Sequence, residues 1–223
     1  MKVGIIGGTG NIGEGLARRV CIGAKYDVVI GSRDPAKAEI AAQRVVDALA
    51  ARKESGTTCT GGSNADACNV DIIILAIPFD KVASTIETLG SALFENKIVI
   101  SVINPMQRFP KEKYLLPDQP KEGSAALAIR EMMPASAKLI TAFNNVASGK
   151  WMELDEVLDY SVCICGDDAD AKKVAMDLVS SVSKLQPLDA GPLELSPIIE
   201  GITPLVITIA MRNDLKNVGV YFR

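Results

Sequence analysis

Residues 2–13 read KVGIIGGTGNIG. An apolar, β-branched run leads straight into Gly7-Gly8-Thr9-Gly10-Asn11-Ile12-Gly13, in which Gly8, Gly10 and Gly13 satisfy G-x-G-x-x-G. Gly8 permits a tight turn out of the strand, Gly10 lets the backbone approach a pyrophosphate, and Gly13 lets the next helix pack closely on a sheet. Thr9, Asn11 and Ile12 complete the loop, and free N–H groups at the helix start can hold phosphate oxygens. The motif leaves a strand and opens a helix, which is the context that gives such a triplet meaning.

Working outward, β-branched runs recur at Lys2–Gly7, Asp27–Gly31, Asp71–Ile77, Lys97–Val102 and Lys138–Phe143. Helix-favouring stretches separate them: Ile12–Ile22, Asp34–Arg52, Phe79–Leu93, and Ser124–Met133 with Ser124 as its N-cap. The alternation predicts an α/β fold, a doubly wound (Rossmann) parallel sheet with a small C-terminal α/β unit. The Gly/Ser/Thr-rich stretch Glu54–Asn64 and the Pro-rich stretch Asn104–Gly123 read as loops. A boundary near Ser148 divides a dinucleotide-binding domain, 1–148, from a smaller domain, 149–223, that closes a substrate cleft. The latter should hold a strand (Ser161–Cys165), a helix (Asp168–Lys184), a turn at Asp189–Pro192 and an apolar helix (Glu194–Arg212).

Composition narrows the function. The net charge is −3 and the pI about 5.2, so no broad basic field recruits nucleic acid. No signal peptide is expected, and the apolar stretch Ile198–Met211, interrupted by Glu200, Gly201 and Pro204, reads as too short and broken to span a bilayer. Cys21, Cys59, Cys68, Cys163 and Cys165 are odd in number with no CxxC, which fits a reduced, cytoplasmic setting. The chain has no histidine, which removes Ser-His-Asp hydrolysis, imidazole bases and His-ligated metals; no metal is expected.

The second run ends Val29-Ile30-Gly31-Ser32-Arg33. NAD-binding chains place a carboxylate here for the ribose 2′-hydroxyl. A hydroxyl and a guanidinium suit a 2′-phosphate instead, with Lys37 one turn on as a third contact, so the sequence favours NADP over NAD. The alternative is that Arg33 and Lys37 are ordinary solvated charges. The third run ends Ile77-Pro78-Phe79, the next Ile103-Asn104, and the last Asn144-Asn145 before Ser148. In a parallel sheet these ends line the ligand crevice. Ile77, Pro78, Phe79 and Ile103 can wall the nicotinamide ribose, with core packing as the alternative. Asn144 and Asn145 can hydrogen-bond a carboxamide or a second substrate, with turn formation as the alternative. No tyrosine has a lysine four residues on, and no catalytic acid or base is assigned. The chemistry expected is direct hydride exchange between two bound cofactors aligned by the protein.

The blocks GIIGGTGNIGEGLA (4–17), VVIGSRDPAKA (28–38), IIILAIPFDKV (72–82), KEGSAALAI (121–129), AFNNVASG (142–149), VCICGDDADAKK (162–173) and LQPLDAGPLE (185–194) run nearly end to end. Together they resemble the coenzyme F420-dependent NADP oxidoreductases. The resemblance implies reversible hydride transfer between the reduced 8-hydroxy-5-deazaflavin F420 and NADP. It implies a glycine loop at Thr9, Gly10, Asn11 and Ile12, a 2′-phosphate clamp at Ser32, Arg33 and Lys37, and nicotinamide-side contacts around Phe79, Ala83, Ile103 and Ser148. It also implies a cytoplasmic homodimer or higher homo-oligomer whose partners are small-molecule cofactor substrates, with no membrane. Asn144 stands where typical members carry a histidine. An NADPH-dependent flavin or metal reductase and a non-catalytic NADP(H)-sensing protein remain the alternatives.

Overall fold

The computed structural model describes residues 1–22, 26–216 and 218–222. In chain order the elements are β1 (Lys2–Ile6), α1 (Asn11–Cys21), β2 (Asp27–Ser32), α2 (Pro35–Ala51), β3 (Cys59–Ser63), β4 (Ile72–Leu75), α3 (Val82–Leu89) and β5 (Ile98–Ser101). They continue with β6 (Met106–Phe109), β7 (Tyr114–Pro117), α4 (Ala125–Met132), β8 (Lys138–Thr141), β9 (Ser161–Gly166), α5 (Ala169–Ser180), β10 (Gln186–Gly191) and α6 (Ser196–Arg212). Among the described residues, eight strands form one sheet in the order β10-β9-β8-β5-β4-β1-β2-β3. Every neighbour pair is parallel except β8 with β9, which meet antiparallel through Ile140↔Gly166 and Thr141↔Cys165. From β3 to β8 this is the doubly wound order, whose direction of winding reverses between β1 and β4 and leaves a crevice there.

The central strands are apolar on both faces because both faces are covered. Val3, Ile5, Ile72 and Ile74 pack with Leu16, Val45 and Leu178 of α1, α2 and α5. Their neighbours Ile6, Ile73 and Leu75 pack on the other face with Ile86 and Ile129 of α3 and α4. Two buried polar clusters fasten the helices. Glu14 in α1 accepts from Arg18 at 2.7 Å and from Arg44 Nε of α2 at 3.1 Å. Burial pushes the Glu14 carboxyl up, but these donors outweigh it and hold it below its ordinary value. Glu200 in α6 accepts from the N–H groups of Ala125 at 2.8 Å and Ala126 at 3.0 Å, at the start of α4. Ser124 caps the same helix through Leu127 N–H at 3.0 Å, as expected.

Several expectations need correction. The stretch 54–64 contains β3, which pairs with β2 through Val28↔Cys59 to Ser32↔Ser63. Residues 104–123 contain the hairpin β6–β7, on which α6 lies, with Thr208 Oγ1 accepting from Leu115 N–H at 2.8 Å. Asp189 belongs to the edge strand β10 rather than to a turn. Pro204 does not break α6, and Leu193–Arg212 is long and apolar enough by composition to cross a membrane. Its Glu200 carboxylate is instead spent on α4. The strands after Ser148 extend the same sheet as those before it.

Candidate active site

The crevice runs along the C-terminal ends of β2, β1, β4, β5 and β8 as four cavities that share walls. The first, about 630 Å³, lies between Ser32 and Arg33 after β2, Asn64 after β3, and Thr85 and Thr88 of α3. The second, about 230 Å³, shares Arg33, Asn64, Lys81 and Thr85 with it and adds Gly7, Thr9 and Gly10. The third, about 410 Å³, shares Gly10, Ile77 and Pro78 with the second and adds Asn11, Phe79, Ile103 and Ser148. The fourth, about 370 Å³, shares Ile12, Asn104 and Ser148 with the third and adds Asn144, Asn145, Trp151 and Thr203. The result is one continuous groove with an arginine at one end and paired asparagine amides at the other.

The loop after β1 is built by close approach. The left-handed turn residue is Gly7, at φ +81°, not Gly8 as the motif suggested. A β-carbon on Gly13 would lie 2.6 Å from Gly7 O and from Gly8 Cα, so the first turn of α1 rests on the loop backbone. A β-carbon on Gly10 would meet nothing nearer than Gly7 O at 3.7 Å and would enter the groove itself. Gly10 is also the N-cap of α1 and offers no capping side chain, so the first-turn N–H groups face a cradle that a phosphate can fill.

After β2, the Ser32 hydroxyl oxygen accepts from Asp34 N–H at 3.1 Å, leaving its O–H to donate. Arg33 has no ion-pair partner among the described residues and lines both cavities at this end. Lys37 lies outside those walls, with its Nζ 3.8 Å from Asp34. Ala83 is exposed on α3 and lines none of these four cavities.

At the other end, two residues past β8, Phe143 has a φ of 63°, which is unusual for a bulky side chain. The ring is buried edge-on to Trp151 at 5.6 Å between centroids. The twist delivers Asn144 and Asn145 to the groove, both buried. Asn144 Nδ2 donates to Ile103 O at 3.2 Å and Asn104 Oδ1 at 3.1 Å, and Asn145 Nδ2 donates to Ser161 O at 2.7 Å. Those partners fix both amide orientations, and both Oδ1 atoms are left buried without a donor. A buried acceptor without a partner costs about 1–3 kcal/mol, which a ligand N–H or O–H would recover. The walls of the third and fourth cavities contain one charged side chain, Arg108, and no carboxylate or thiol. Among the described residues no cluster of His, Cys, Asp or Glu is placed to hold a metal.

The sequence reading missed Asn64, Lys81, Thr85, Arg108 and Thr203. Lys81 was visible within the block 72–82, but only the observed course of the chain brings it into the walls of the same cavities as Arg33. Asn64, Arg108 and Thr203 had no signal, because they lie beside β3, in the hairpin and on α6, and Thr85 read only as one residue of the helix α3.

A doubly wound sheet, a glycine loop at its reversal point and a groove that runs from Arg33 to paired asparagine amides define a dinucleotide-binding oxidoreductase. A family model described as NADP oxidoreductase, coenzyme F420-dependent, matches residues 2–105. The F420-dependent NADP reductase of Methanocaldococcus jannaschii is 36% identical over 99% of this chain and 97% of its own. That of Methanothermobacter thermautotrophicus is 32% identical over 99% and 94%. A solved structure from Arthrobacter sp. FB24, assigned as an F420-dependent NADP reductase, superposes with a TM-score of 0.77 at 22% identity, covering 100% of this chain and 99% of its own. This chain belongs to the coenzyme F420-dependent NADP oxidoreductase family.

Proposed function

We propose that this chain transfers hydride reversibly between reduced coenzyme F420 and NADP. The observation that carries the reading is the continuous groove, whose linked cavities run from Arg33 past the glycine loop to Ser148 and open beyond Ser148 into a second apolar chamber. When bound, the two cofactors supply the redox chemistry, a hydride donor and a hydride acceptor, and the protein supplies alignment. The α1 start, with Gly8, Thr9, Gly10, Asn11, Ile12 and Gly13, binds the pyrophosphate. Ser32 and Arg33 bind the 2′-phosphate, and Ile77, Pro78, Phe79, Ile103 and Ser148 wall the nicotinamide. Asn144 and Asn145 accept hydrogen bonds from donor edges of the ligands meeting there. Lys37 and Ala83, outside the groove walls, are outer contacts at most.

The wall of the second chamber contributed by Thr203, Val206 and Ile207 comes from α6, which supports the division of labour between 1–148 and 149–223. The protein works in the cytoplasm as a homo-oligomer. Ile198, Leu205 and Ile209, spaced seven and four residues apart on α6, are 68%, 59% and 42% exposed, and a second copy would cover them.

The test is stopped-flow absorbance with NADPH and oxidised F420, and separately with FMN. Bleaching of the deazaflavin band with F420 alone supports the proposal. Turnover with FMN alone makes the chain a flavin reductase, and tight NADPH binding without turnover makes it a sensor.

A further inference from the structure

We infer that Cys21 and Cys59 form a dithiol site that a hydroperoxide oxidises to a disulfide, clasping α1 to β3 at the rim of the sheet opposite the groove. Cys21 is the last residue of α1 and Cys59 the first of β3. The chain just before Cys59 crosses the end of that helix. Thr57 Oγ1 donates to Cys21 O at 3.0 Å, and the Cys21 sulfur lies 4.0 Å from Thr58 O. The Cys59 S–H donates to the Cys21 sulfur, so the two thiols are in direct contact. Both are buried in the core cluster that holds Tyr26, Val28 and Leu49. Neither belongs to the groove, which lies at the other ends of α1 and β3, beside Gly10 and Ser63.

The pair has an attacking thiol and a resolving thiol. The thiolate is the form that attacks an oxidant. The hydrogen bond from Cys59, joined by the Thr57 hydroxyl, holds the Cys21 thiol below its ordinary value against the opposing effect of burial. Cys59, as the donor of that bond, is pushed up. Burial pushes Cys68 and Cys165 up to about 11 and raises Cys163 as well. Cys21 is therefore the thiol of the five that ionises ahead of the rest. Cys59 is 8% exposed, an opening that suits an oxidant as small as hydrogen peroxide and not a bulky disulfide.

The chemistry balances in two steps. The Cys21 thiolate attacks one peroxide oxygen. An S–O bond forms, the O–O bond breaks, and the departing hydroxide takes up the Cys21 proton and leaves as water. The Cys59 sulfur then attacks the Cys21 sulfenic sulfur. The S–S bond forms, the S–O bond breaks, and a second water leaves with the Cys59 proton. The two thiols give up two electrons and one peroxide becomes two waters. The new bond closes the chain from 21 to 59 around β2 and α2, which restricts the unfolded state.

The experiment treats the full chain with hydrogen peroxide and reads it by thiol counting under denaturant, non-reducing peptide mapping and thermal melts. Free thiols should fall from five to three, a loss of two. The map should join Cys21 to Cys59, with fragmentation separating Cys59 from Cys68 on the tryptic peptide 54–81 they share. Tm should rise by roughly 5–10 °C and return on adding dithiothreitol. Cys59→Ala should form no link and leave a Cys21 sulfenic acid that dimedone captures. The wild-type map decides the matter even where that variant folds poorly. A wild type that keeps all its thiols, a link through Cys68, Cys163 or Cys165, or an oxidised form that melts no higher than the reduced one would each overturn the inference.

Discussion

Glu200 gives an unusually clean prediction for stability against pH. Its carboxyl is buried between α6 and the start of α4. Burial pushes it up to about 7, against the two backbone donors that pull it down. In the unfolded chain it returns to about 4.3. The folded state therefore binds this proton more tightly, so its stabilising contribution is complete below pH 4 and is lost as pH rises through 7. Integrated from pH 5 to pH 8, the loss is about 2–3 kcal/mol. For a chain of this size that is a fall in Tm of roughly 5–10 °C. The chain has no histidine, so the usual titrations of this window do not mask it. Thermal melts of wild type and Glu200→Gln at half-unit steps read the difference: wild type should lose stability across the window and the variant should be nearly flat. A wild-type curve that is flat or rising, or an equal slope in Glu200→Gln, would refute the linkage.

Other expectations are independent of that one. Arg33→Ala should weaken NADP binding by about 1–3 kcal/mol and leave NAD binding nearly unchanged, read by fluorescence titration with both nucleotides. Gly13→Ala, whose β-carbon would stand 2.6 Å from two loop atoms, should cost about 1–3 kcal/mol of stability in denaturant melts. Gly10→Ala, with 3.7 Å of clearance, should melt like wild type within about 1 kcal/mol and still bind nucleotide poorly. Asn144→Leu should raise KM for the deazaflavin about tenfold or more while KM for NADPH moves less, because it removes an acceptor from the chamber shared with the second substrate. A loss confined to NADPH would instead assign that acceptor to the nicotinamide carboxamide.

The strands that were legible in the sequence are the ones that need side chains to exist. Β-branched runs at β1, β2, β4, β5 and β8 fill both layers of the core, so they stand out at a glance. The strand β3, with the sequence CTGGS, carries almost none of that signal. Gly61 sits there because a β-carbon would come within 2.2 Å of the Ala38 backbone carbonyl carbon in α2, so close helix packing has selected a residue that reads as loop. The edge strand β10, QPLDAG, reads as a turn for a similar reason: much of it faces solvent. The glycine loop and the Ser32-Arg33 step were legible because their tasks demand particular residues at particular spacing. Asn64 and Thr203 were not, since an amide or hydroxyl becomes a wall of the groove only when distant segments fold against it. The apolar helix expected over Glu194–Arg212 was legible despite Pro204, and α6 carries that proline within a single helix.

The antiparallel step between β8 and β9 has a consequence for how this enzyme can change. A parallel successor to β8 would need a crossover helix, and that would carry the chain to the far end of the sheet. Because β9 runs the other way, β8 departs and β9 arrives at the same rim, and the segment between them gives residues 143–149 and Trp151 to the wall of the groove. Arg19 of α1 tethers this segment from below through the carbonyls of Lys150, Trp151 and Glu153, at 2.9, 3.1 and 2.6 Å. The rim can therefore be lengthened, shortened or refitted without rethreading a strand, while the nucleotide half behind it stays as it is. An engineer wishing to retarget the hydride to another acceptor would begin with this interchangeable collar.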